Sequence, residues 1–396
     1  MTPPAGLTPV DAVVVGAGAL GSATAWQLAR RGADVALLEQ FELGHLRGAS
    51  HDTSRILRRS YHSPAYVRLA GEAYDDWSCL EQEAGEPLVT TVGGVDLFPP
   101  GAAIPAVDYV ASMAACGVPF AELSAADVTR RWPALSLPAG TTAVHQADTS
   151  IVPAGRGTAT MQRLARSSGA RLVDECPVTG LVDHGPSGVE VRTPATSYLA
   201  RRVVLAADAW TNHLLAHLGV RLPLTVTREQ ATYFQPPAPE RFGADRLPVW
   251  IWMDDPSFYG FPTYAEGGNG ALVKAAQDCG GAVTTADGRS FETDAEALQR
   301  LAGFVSELLP GVGAPRRTVT CLYTLTPDRD FVVGPVPGHE AVLVGLGAGH
   351  GFKFAPTFGR MLADLVTQGS TGSDISGFAT DRPALVDAGF PLSWLV

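Results

Sequence analysis

The sequence predicts an α/β protein, α+β overall, in which one domain is assembled from separate stretches of chain. A strand-like run over residues 11–15 enters a GxGxxG motif, and a second strand-like run, Arg-Arg-Val-Val-Leu-Ala over residues 201–206, precedes a helical pattern much later. A third apolar run covers residues 341–345. Between these runs, short strands alternate with loops rich in proline and glycine, and a length of 396 residues favours two domains over one.

The N-terminal motif indicates a nucleotide-binding turn. The run from Val13 to Val15 lacks polar alternation, as expected for a strand that is covered on both faces. Gly16 permits the tight turn, Gly18 lets backbone approach a pyrophosphate, and Gly21 lets the helix pack on the strand. A helix over residues 22–31 and a strand over residues 33–39 complete a Rossmann-type unit.

Glu39 ends the second strand and is placed to accept hydrogen bonds from ribose hydroxyls. An acid there disfavours a 2′-phosphate and therefore NADP, whereas NAD and FAD stay open. Residues 48–61 are then dense in cations instead of continuing the βαβ alternation. Such a stretch is commonly a solvated face, but after a nucleotide half-site Arg55 and Arg58 are candidates to hold a flavin or a carboxylate. Their spacing of three predicts that both project to the same side of a helical turn.

Apolar periodicity predicts the remaining elements. We expect helices over residues 63–82, 104–116, 125–132, 154–169, 210–218, 294–309 and 358–368. We expect strands near residues 90–98, 171–175, 178–182, 188–192, 201–208, 226–234, 249–253, 271–275 and 341–345. The nucleotide-binding domain then consists of residues 1–86, 150–218 and 321–396, and a mixed-sheet substrate domain consists of residues 87–149 and 219–320.

Composition argues against several classes of partner. The net charge is −11 and no run is rich in lysine or arginine, so we expect no nucleic acid. The five cysteines are scattered, without CxxC or a Cys/His cluster, which is typical of free thiols in a reducing compartment and not of a metal site. The first residues lack the pattern of a signal peptide, and glycines and charges interrupt the first apolar run. We therefore expect a cytoplasmic protein without a membrane span.

Further motifs indicate the family. The chain contains GAGALGSA, SHDTSRILRRSY, RRWPAL, FYGFP, TCLYTLTPD, GAGHGFKF and a closing DRPAL. With these motifs, it resembles the monomeric sarcosine oxidase and N-methyltryptophan oxidase group of the D-amino-acid-oxidase-like flavoproteins over nearly its whole length. The resemblance implies a two-domain fold with a Rossmann-type FAD-binding domain. It also implies a covalent thioether from Cys321 to the 8α-methyl group of FAD.

This attachment has a chemical logic. A thiolate must attack an electron-poor flavin carbon, and cations near the pyrimidine end of the ring stabilise the reduced flavin that results. Lys353 and Arg55 are candidate cations, whereas Cys321 taken alone is equally typical of a buried free thiol. The residues expected to contact FAD are Gly16, Gly18, Gly21, Glu39, Ser50, His51, Arg55, Cys321, Gly349, His350, Gly351 and Lys353.

The resemblance also implies the substrate contacts. Arg58 and Lys353 would bind a substrate carboxylate and Tyr259 would line the pocket, which orients the substrate α-carbon over flavin N5 for hydride transfer. Arg55 would lie against the flavin, and His51 would hydrogen-bond or pack near the ring.

Lys274 matches the family lysine that lies near flavin N5 through water and assists the reaction with oxygen. A cation there would stabilise superoxide as it forms. Taken alone, a strand lysine is more typical of a solvated charge. The candidate catalytic residues are Lys274, Arg55, His51 and Tyr259.

The chain departs from the family pattern at residues 277–278, at Asp208 and in the loop between Pro262 and Lys274, which is longer than usual. Gln277 and Asp278 replace the histidine that commonly follows the lysine, and Asp278 either pairs with a substrate cation or faces solvent. Asp208 replaces a glycine, which is unfavourable near phosphates unless the carboxylate points away. Trp250 and Trp252 share a strand face, and they either form a flat apolar substrate site or belong to the core.

Together these features predict an FAD-dependent amine oxidase that acts on a secondary, N-alkyl or cyclic amino acid, or on a related biosynthetic amine. Hydride transfer would give an imine, and dioxygen would be reduced to hydrogen peroxide. The alternatives are an FAD-dependent dehydrogenase with another electron acceptor and a non-catalytic flavoprotein. We expect a monomer whose partners are a small-molecule amine and O2.

Overall fold

The computed structural model describes residues 7–394. Its strands are β1 (Leu7–Val15), β2 (Val35–Leu38), β3 (Arg55–Leu57), β4 (Thr90–Thr91), β5 (Gly94–Phe98), β6 (Ala121–Ser124), β7 (Thr142–Gln146), β8 (Ser150–Val152), β9 (Arg171–Val173), β10 (Gly180–Asp183), β11 (Val189–Arg192), β12 (Ser197–Leu205), β13 (Thr225–Gln235), β14 (Val249–Trp252), β15 (Phe258–Phe261), β16 (Val273–Gln277), β17 (Ala282–Thr284), β18 (Ala314–Leu325), β19 (Val332–Val336) and β20 (His339–Leu346). Its helices are α1 (Ala19–Ala29), α2 (Pro64–Ala84), α3 (Ala106–Ala115), α4 (Ala125–Arg131), α5 (Ala154–Ser167), α6 (Thr211–Leu215), α7 (Ala295–Leu308), α8 (Ala355–Gln368) and α9 (Pro383–Val386).

The first sheet has eight strands and is built around parallel β2, β1, β12 and β20. The carboxyl-terminal halves of β1, β12 and β20, and all of β2, are apolar and buried, as expected for the centre of a covered parallel sheet. Helix α1 packs against strands β1 and β2 of this sheet and against helices α5 and α8. Gly359 of α8 touches the backbone of Ala23 in α1, and a Cβ added at Gly359 would lie 2.5 Å from the Ala23 carbonyl carbon. This close helix pair fixes α1 behind the turn that follows β1.

The second sheet has nine strands in the order β17-β13-β16-β15-β14-β5-β7-β6, with β18 also paired to β13. Its far face packs against α7, where Leu301, Val305 and Leu308 meet Phe234 and Trp250 in a separate core cluster. Burying each of these side chains contributes roughly 1.5–3 kcal/mol, so the sheet and α7 stabilise each other. A small third sheet, β3-β8-β4, lies beside the two large ones.

The three-piece arrangement of the first sheet follows the sequence pattern, because its strands come from residues 7–38, 171–205 and 332–346. The boundary expected between residues 320 and 321 falls inside β18. That strand pairs with β13 continuously, so Cys321 lies on the second sheet. The assignment of these sheets to cofactor and substrate domains stays a proposal.

Residues 55–58 do not form the helical turn that the arginine spacing predicts. Arg55 opens β3, which pairs with Val152 and Ile151 of β8, and Arg58 follows the end of that strand. The extended conformation is favoured here because β8 provides hydrogen-bond partners for the backbone groups that a helix would pair internally. Within residues 7–394, no helix is both long enough and apolar enough to cross a membrane.

Candidate cofactor and substrate site

A cavity of about 620 Å³ lies between the two large sheets, and the carboxyl ends of β1, β2, β12 and β20 open into it. Ligands of open α/β sheets bind at this edge. The cavity wall includes Gly16, Gly18, Glu39, Ser50, His51, Arg55, Arg58, Tyr259, Lys274, Asp278, Cys321, Gly349, His350, Gly351 and Lys353. The structure therefore brings most of the sequence-predicted site residues to one place.

The turn between β1 and α1 leaves no room for side chains. Gly16 has a φ of +99°, and a Cβ there would lie 2.5 Å from the carbonyl oxygen of Ala206. A Cβ at Gly21 would lie 1.8 Å from the Gly16 oxygen, so Gly21 packs helix on strand without lining the cavity. Ser50 Oγ accepts a hydrogen bond from the Ala19 N–H at 2.9 Å. The start of α1 thus presents backbone N–H groups to the cavity, where an anion is favoured.

Glu39 lies at the tip of β2 and is held by the same turn. Its carboxylate accepts hydrogen bonds from the backbone N–H of Ala17 at 2.8 Å and of Phe41 at 3.1 Å. Burial alone would raise the pKa of Glu39, but the side chain of His45 and these N–H groups hold it below its ordinary value. Glu39 is therefore an anion at neutral pH with free lone pairs toward the cavity.

Arg55 is fixed by the loop before it. Its guanidinium donates to the carbonyl oxygens of Ser54, Ala49 and His51 at 2.8–3.0 Å. Burial would lower its pKa, but the charge of Asp52 more than compensates, so the pKa is raised. The cation at this wall is permanent and has one orientation.

His51 lies on the cavity wall as a neutral ring. Burial and the charge of Arg55 lower its pKa to about 4. Its Nε2 atom is buried and has no hydrogen-bond partner among residues 7–394. Because buried polar atoms are nearly always paired in a complete structure, this atom marks a place for a ligand.

Lys274 lies on β16 in an ion pair that the sequence motifs did not reveal. Its Nζ atom is 2.5 Å from Asp52 Oδ2 and also donates to the carbonyl oxygen of Ser54 at 3.1 Å. Tyr233 of β13 donates to the other oxygen of Asp52 at 2.5 Å. Burial lowers the pKa of Lys274 to about 8, although Asp52 opposes this change. Lys274 is therefore a buried, ion-paired cation and not a solvated charge.

Arg58 and Lys353 place two cations in the same region, and they differ in whether an acid neutralises them. Arg58 Nη1 lies 3.1 Å from Asp96 Oδ1, and this carboxylate comes from β5 of the second sheet. Lys353 lies over the rings of Tyr61 and Phe354, with no ion-pair partner in the described part of the chain. Burial and the nearby Arg58 lower the pKa of Lys353.

Asp278 is also paired inside the protein. Arg329 donates to both of its oxygens at 2.7 and 2.8 Å, in the two-pronged geometry that suits a carboxylate. The Arg329 carbonyl oxygen is in turn 3.0 Å from His350 Nε2. Because Arg329 already neutralises Asp278, we withdraw the expectation that this carboxylate pairs with a substrate cation.

The two tryptophans of β14 face away from the cavity. Trp250 is fully buried in the core against α7, and Trp252 packs on Phe304 of the same helix. Ile251, which points to the opposite face, lines the cavity beside Tyr259. The expected substrate-binding role of Trp250 is therefore wrong: alternation put both indoles on one face, and that face is the core.

Asp208 belongs to the cavity wall, and its carboxyl group lies near Thr324. It lies on the wall at the end of β12 in a left-handed conformation with φ of +45°, which the glycine expected at this position would adopt more easily. Its Oδ2 atom is buried without a partner in residues 7–394. Burial raises the pKa of Asp208 to about 6, so the carboxyl group gains a proton easily if a phosphate approaches.

The turn at residues 347–354 closes the wall. Gly349 has a φ of +80°, and a Cβ there would lie 2.7 Å from the Tyr323 ring. Tyr323 and Cys321 share a face of β18, so the turn packs directly beside the thiol strand. Only glycine permits this contact.

The comparisons with known proteins agree with this architecture. The family model described as FAD dependent oxidoreductase matches residues 11–365. The chain belongs to the FAD-dependent oxidoreductases. Among curated relatives, monomeric sarcosine oxidase of Streptomyces avermitilis is 34% identical over 385 residues, which is 96% of this chain and 99% of the relative. N-methyl-L-tryptophan oxidase of Salmonella arizonae is 29% identical over 378 residues, which is 94% of this chain and 98% of that protein.

Solved structures give the same result. NikD, described as an unusual amino acid oxidase essential for nikkomycin biosynthesis, superposes in its open form with a TM-score of 0.83 and 31% identity. The superposition covers 94% of this chain and 97% of NikD. These findings confirm the family resemblance and the α/β fold with its Rossmann-type FAD domain.

The residues present fit FAD. The glycine turn and the start of α1 suit a pyrophosphate, and Glu39 suits the ribose next to it. Two buried polar atoms on the same wall, His51 Nε2 and Asp208 Oδ2, lack partners in the described residues. FAD bound in this cavity would bring hydrogen-bonding groups to this wall.

Sequence reasoning missed four residues that shape this site: Asp52, Asp96, Tyr233 and Arg329. One of them left a signal. Asp96 interrupts the otherwise apolar strand Gly-Val-Asp-Leu-Phe, and a charge that is buried in a strand requires a partner. The other three are unremarkable along the chain and acquire their roles only through distant contacts.

Proposed function

We propose that this FAD-dependent oxidoreductase is an amine oxidase for a secondary, N-alkyl or cyclic amino acid, or for a related biosynthetic amine. One observation carries the proposal: the cavity that bears the nucleotide turn also bears the buried cation Arg58 and the partly buried cation Lys353, beside the side chains of Ile251 and Tyr259. The named relatives act on sarcosine and N-methyl-L-tryptophan, both N-methylated amino acids.

In this proposal Lys353 carries most of the charge that binds the substrate carboxylate. Arg58 shares its charge with Asp96, whereas Lys353 faces only aromatic rings. A carboxylate that enters would pair with Lys353 Nζ and accept a further hydrogen bond from the free edge of the Arg58 guanidinium. This pairing fixes one end of the substrate and leaves its apolar part against Ile251 and Tyr259.

When bound, FAD would accept a hydride, and with it two electrons, from the carbon next to the substrate nitrogen; dioxygen would take these two electrons, so that the products are an imine and hydrogen peroxide. The chain's own contribution is orientation and electrostatics. The carboxylate clamp reduces the motion of the reacting carbon, and the surrounding aromatic and aliphatic side chains exclude water. We propose that Lys274, held by Asp52, supplies positive charge for the oxygen reaction.

We further propose that Cys321 attaches FAD covalently, since its thiol lines the cavity on β18 next to the turn at residues 347–354. A biosynthetic substrate is supported by Gln277 and Asp278, which replace the family histidine, and by the description of NikD. We also propose a cytoplasmic monomer, and the five unpaired cysteines are consistent with that compartment.

One observation favours a second candidate function, an FAD-dependent dehydrogenase. Asp52 neutralises Lys274 at 2.5 Å, which weakens the field that this cation offers to oxygen. Reduced protein that is not reoxidised by oxygen, but is reoxidised by an artificial quinone, would favour this candidate.

Oxygen uptake with a substrate panel tests the proposal. The panel contains sarcosine, N-methyltryptophan, proline, pipecolate and several primary amino acids. We expect at least one secondary or cyclic member to drive uptake with stoichiometric hydrogen peroxide. Uptake with primary amino acids alone would contradict the substrate class, and flavin-containing protein that no amine reduces would support a non-catalytic flavoprotein.

A further inference from the structure

Glu229 is a buried carboxylic acid that has no part in the site described so far. It lies on β13 directly opposite Cys321 of β18 in the antiparallel register. Residues in such a pair have their Cβ atoms about 4.5–5.5 Å apart on one face of the sheet. The neighbouring pair on that face, Ala231 and Val319, lines the large cavity, as does Tyr323 opposite Thr227. Glu229 therefore lies next to the Cys321 thiol, immediately behind the cavity wall.

The surroundings of Glu229 let it exist in either protonation state. Glu229 is buried, with 4% of the residue exposed. Its Oε1 atom accepts a hydrogen bond from Thr227 Oγ1 at 2.7 Å. Burial raises the pKa of Glu229 to about 7. The charged groups that face it have opposing effects, because Asp278 raises this pKa further and Arg329 lowers it.

Cys321 needs a proton acceptor if it is to bond to a flavin. Burial raises the pKa of its thiol to about 11, although Arg55 and Lys274 lower it. Only the thiolate is nucleophilic, so the thiol proton must leave during attachment. The nearby cations are poor acceptors: Arg55 stays protonated, and Lys274 keeps its proton in the ion pair with Asp52.

We propose that Glu229 is the proton acceptor for Cys321 when its sulfur bonds to the 8α-methyl carbon of FAD. The inference rests on the proposed thioether. The S–H bond and one methyl C–H bond break and the C–S bond forms. The two electrons and the methyl hydrogen stay with the flavin, while Glu229 transiently holds the thiol proton. Dioxygen then takes up both electrons and two protons and leaves as hydrogen peroxide.

Glu229 also borders a small cavity that Cys321 does not line. This cavity of about 20 Å³ also borders Gln277 and Gly280, and its volume is enough for one water molecule. The absence of a side chain at Gly281 keeps this side of Glu229 open, since a Cβ there would lie 2.8 Å from the Glu229 carboxyl carbon.

The test mixes the full-length apoprotein with FAD and follows covalent incorporation, measured as flavin that remains with acid-denatured protein and as the matching increase in mass. Glu229→Gln keeps the size and the Thr227 contact but cannot accept a proton. We expect this variant to bind FAD and to attach it about 10²-fold or more slowly than wild type, the usual contribution of a general base. Glu229→Asp should retain part of the rate. Glu307→Gln, an exposed acid on α7, is the matched control and should attach FAD normally.

The outcomes separate the two proposals. If acid releases all flavin from the wild-type protein, the thioether itself is wrong. Attachment in Glu229→Gln at the wild-type rate would overturn the role of Glu229. If Glu229→Gln does not bind FAD, the pH dependence of covalent attachment in the wild-type protein is the test. The attachment rate should rise through about pH 7, as Glu229 ionises beside Asp278 and Arg329. An attachment rate that is flat from pH 6 to about 8 would overturn the proposal.

Discussion

The turn between β1 and α1 and the wall formed by β14, β15, β16 and β18 bound the same cavity with different chemistry. The turn uses backbone: Gly16 and Gly18 leave the cavity side of the turn without side chains so that an anion can approach, and Gly21 lets α1 pack on β1. The wall uses charge in pairs, with Lys274 on Asp52 and Asp278 on Arg329, and beside it Arg58 is paired with Asp96. A rigid backbone turn suits a cofactor whose shape is constant. Substrates differ between related enzymes, and the effective charge of each wall residue can be set by its ion-pair partner.

The largest effect is expected from a substitution that disrupts the turn between β1 and α1. In Gly21→Ala, the new Cβ would lie 1.8 Å from the Gly16 carbonyl oxygen, so strand and helix must separate. We expect loss of bound flavin and a decrease in the free energy of unfolding on the order of 1–3 kcal/mol or more. Flavin absorbance and thermal unfolding measure both effects.

The matched control is Gly71→Ala in α2, where a Cβ meets no atom within 4 Å. This change should keep flavin and should leave stability unchanged or raise it by about 0.5–1 kcal/mol. Equal flavin content in the two variants would show that the close approach at Gly21 is not essential.

The next effect concerns the cation without an ion-pair partner. Lys353→Met should lower kcat/KM by about 10²–10³-fold, equivalent to about 3–4 kcal/mol, because a buried substrate carboxylate would lose its counter-charge. Steady-state oxygen uptake measures this loss. Asp96→Asn, which frees the charge of Arg58, should instead lower KM several-fold. If Lys353→Met has normal kinetics, the substrate does not bind through a carboxylate at this position.

A smaller effect concerns pH and the oxygen reaction. Burial lowers the pKa of Lys274 to about 8, so the side chain is a cation below this pH and neutral above it. Reoxidation of reduced protein should therefore slow above pH 8, by up to about tenfold per pH unit if only the cation is effective. Stopped-flow mixing with oxygen at several pH values measures the rate.

Two variants at Lys274 and its partner sharpen this result. Lys274→Met should abolish the dependence on pH, and Asp52→Asn should move it to lower pH because the anion that stabilises the ammonium is gone. A profile that is identical in wild type and Lys274→Met would exclude Lys274 from the oxygen step.

The smallest effect separates the two faces of β14. Ile251→Ala should change the ratio of kcat/KM between large and small substrates by about tenfold, since Ile251 lines the cavity. Trp250→Phe should leave that ratio within about twofold and lower stability by roughly 1–3 kcal/mol, because Trp250 is core. A larger change in this kcat/KM ratio in Trp250→Phe would show that Trp250 does contribute to the substrate site.

The parts that sequence predicted well depend on local geometry. The glycine turn and the acid at the tip of β2 occupy one short stretch, where a few residues fix the backbone. The GHGFKF turn was also predicted, and its Gly349 has a φ of +80°, a backbone conformation that glycine adopts easily. In each case the requirement is imposed mainly by a specific backbone conformation and not by the identity of a distant side chain.

The parts that sequence could not predict depend on which strands meet. Asp96 reaches Arg58 only because β5 joins the second sheet beside β14, and Asp52 reaches Lys274 only because the loop after β2 crosses to β16. The pairing of Asp278 with Arg329 likewise joins separate segments. Alternation correctly placed the two tryptophans together on one face of β14, but it cannot tell which face the helix α7 covers.

The central claim is that one cavity holds a flavin beside cations that select an amino-acid carboxylate. The most direct measurement is anaerobic bleaching of the flavin by pipecolate or another active amino acid, compared with the same amine without its carboxylate, such as piperidine. The account predicts that the amino acid bleaches the flavin at least about 100-fold faster at equal concentration, because only the carboxylate engages Lys353 and Arg58. Equal rates of bleaching by the two amines would contradict it.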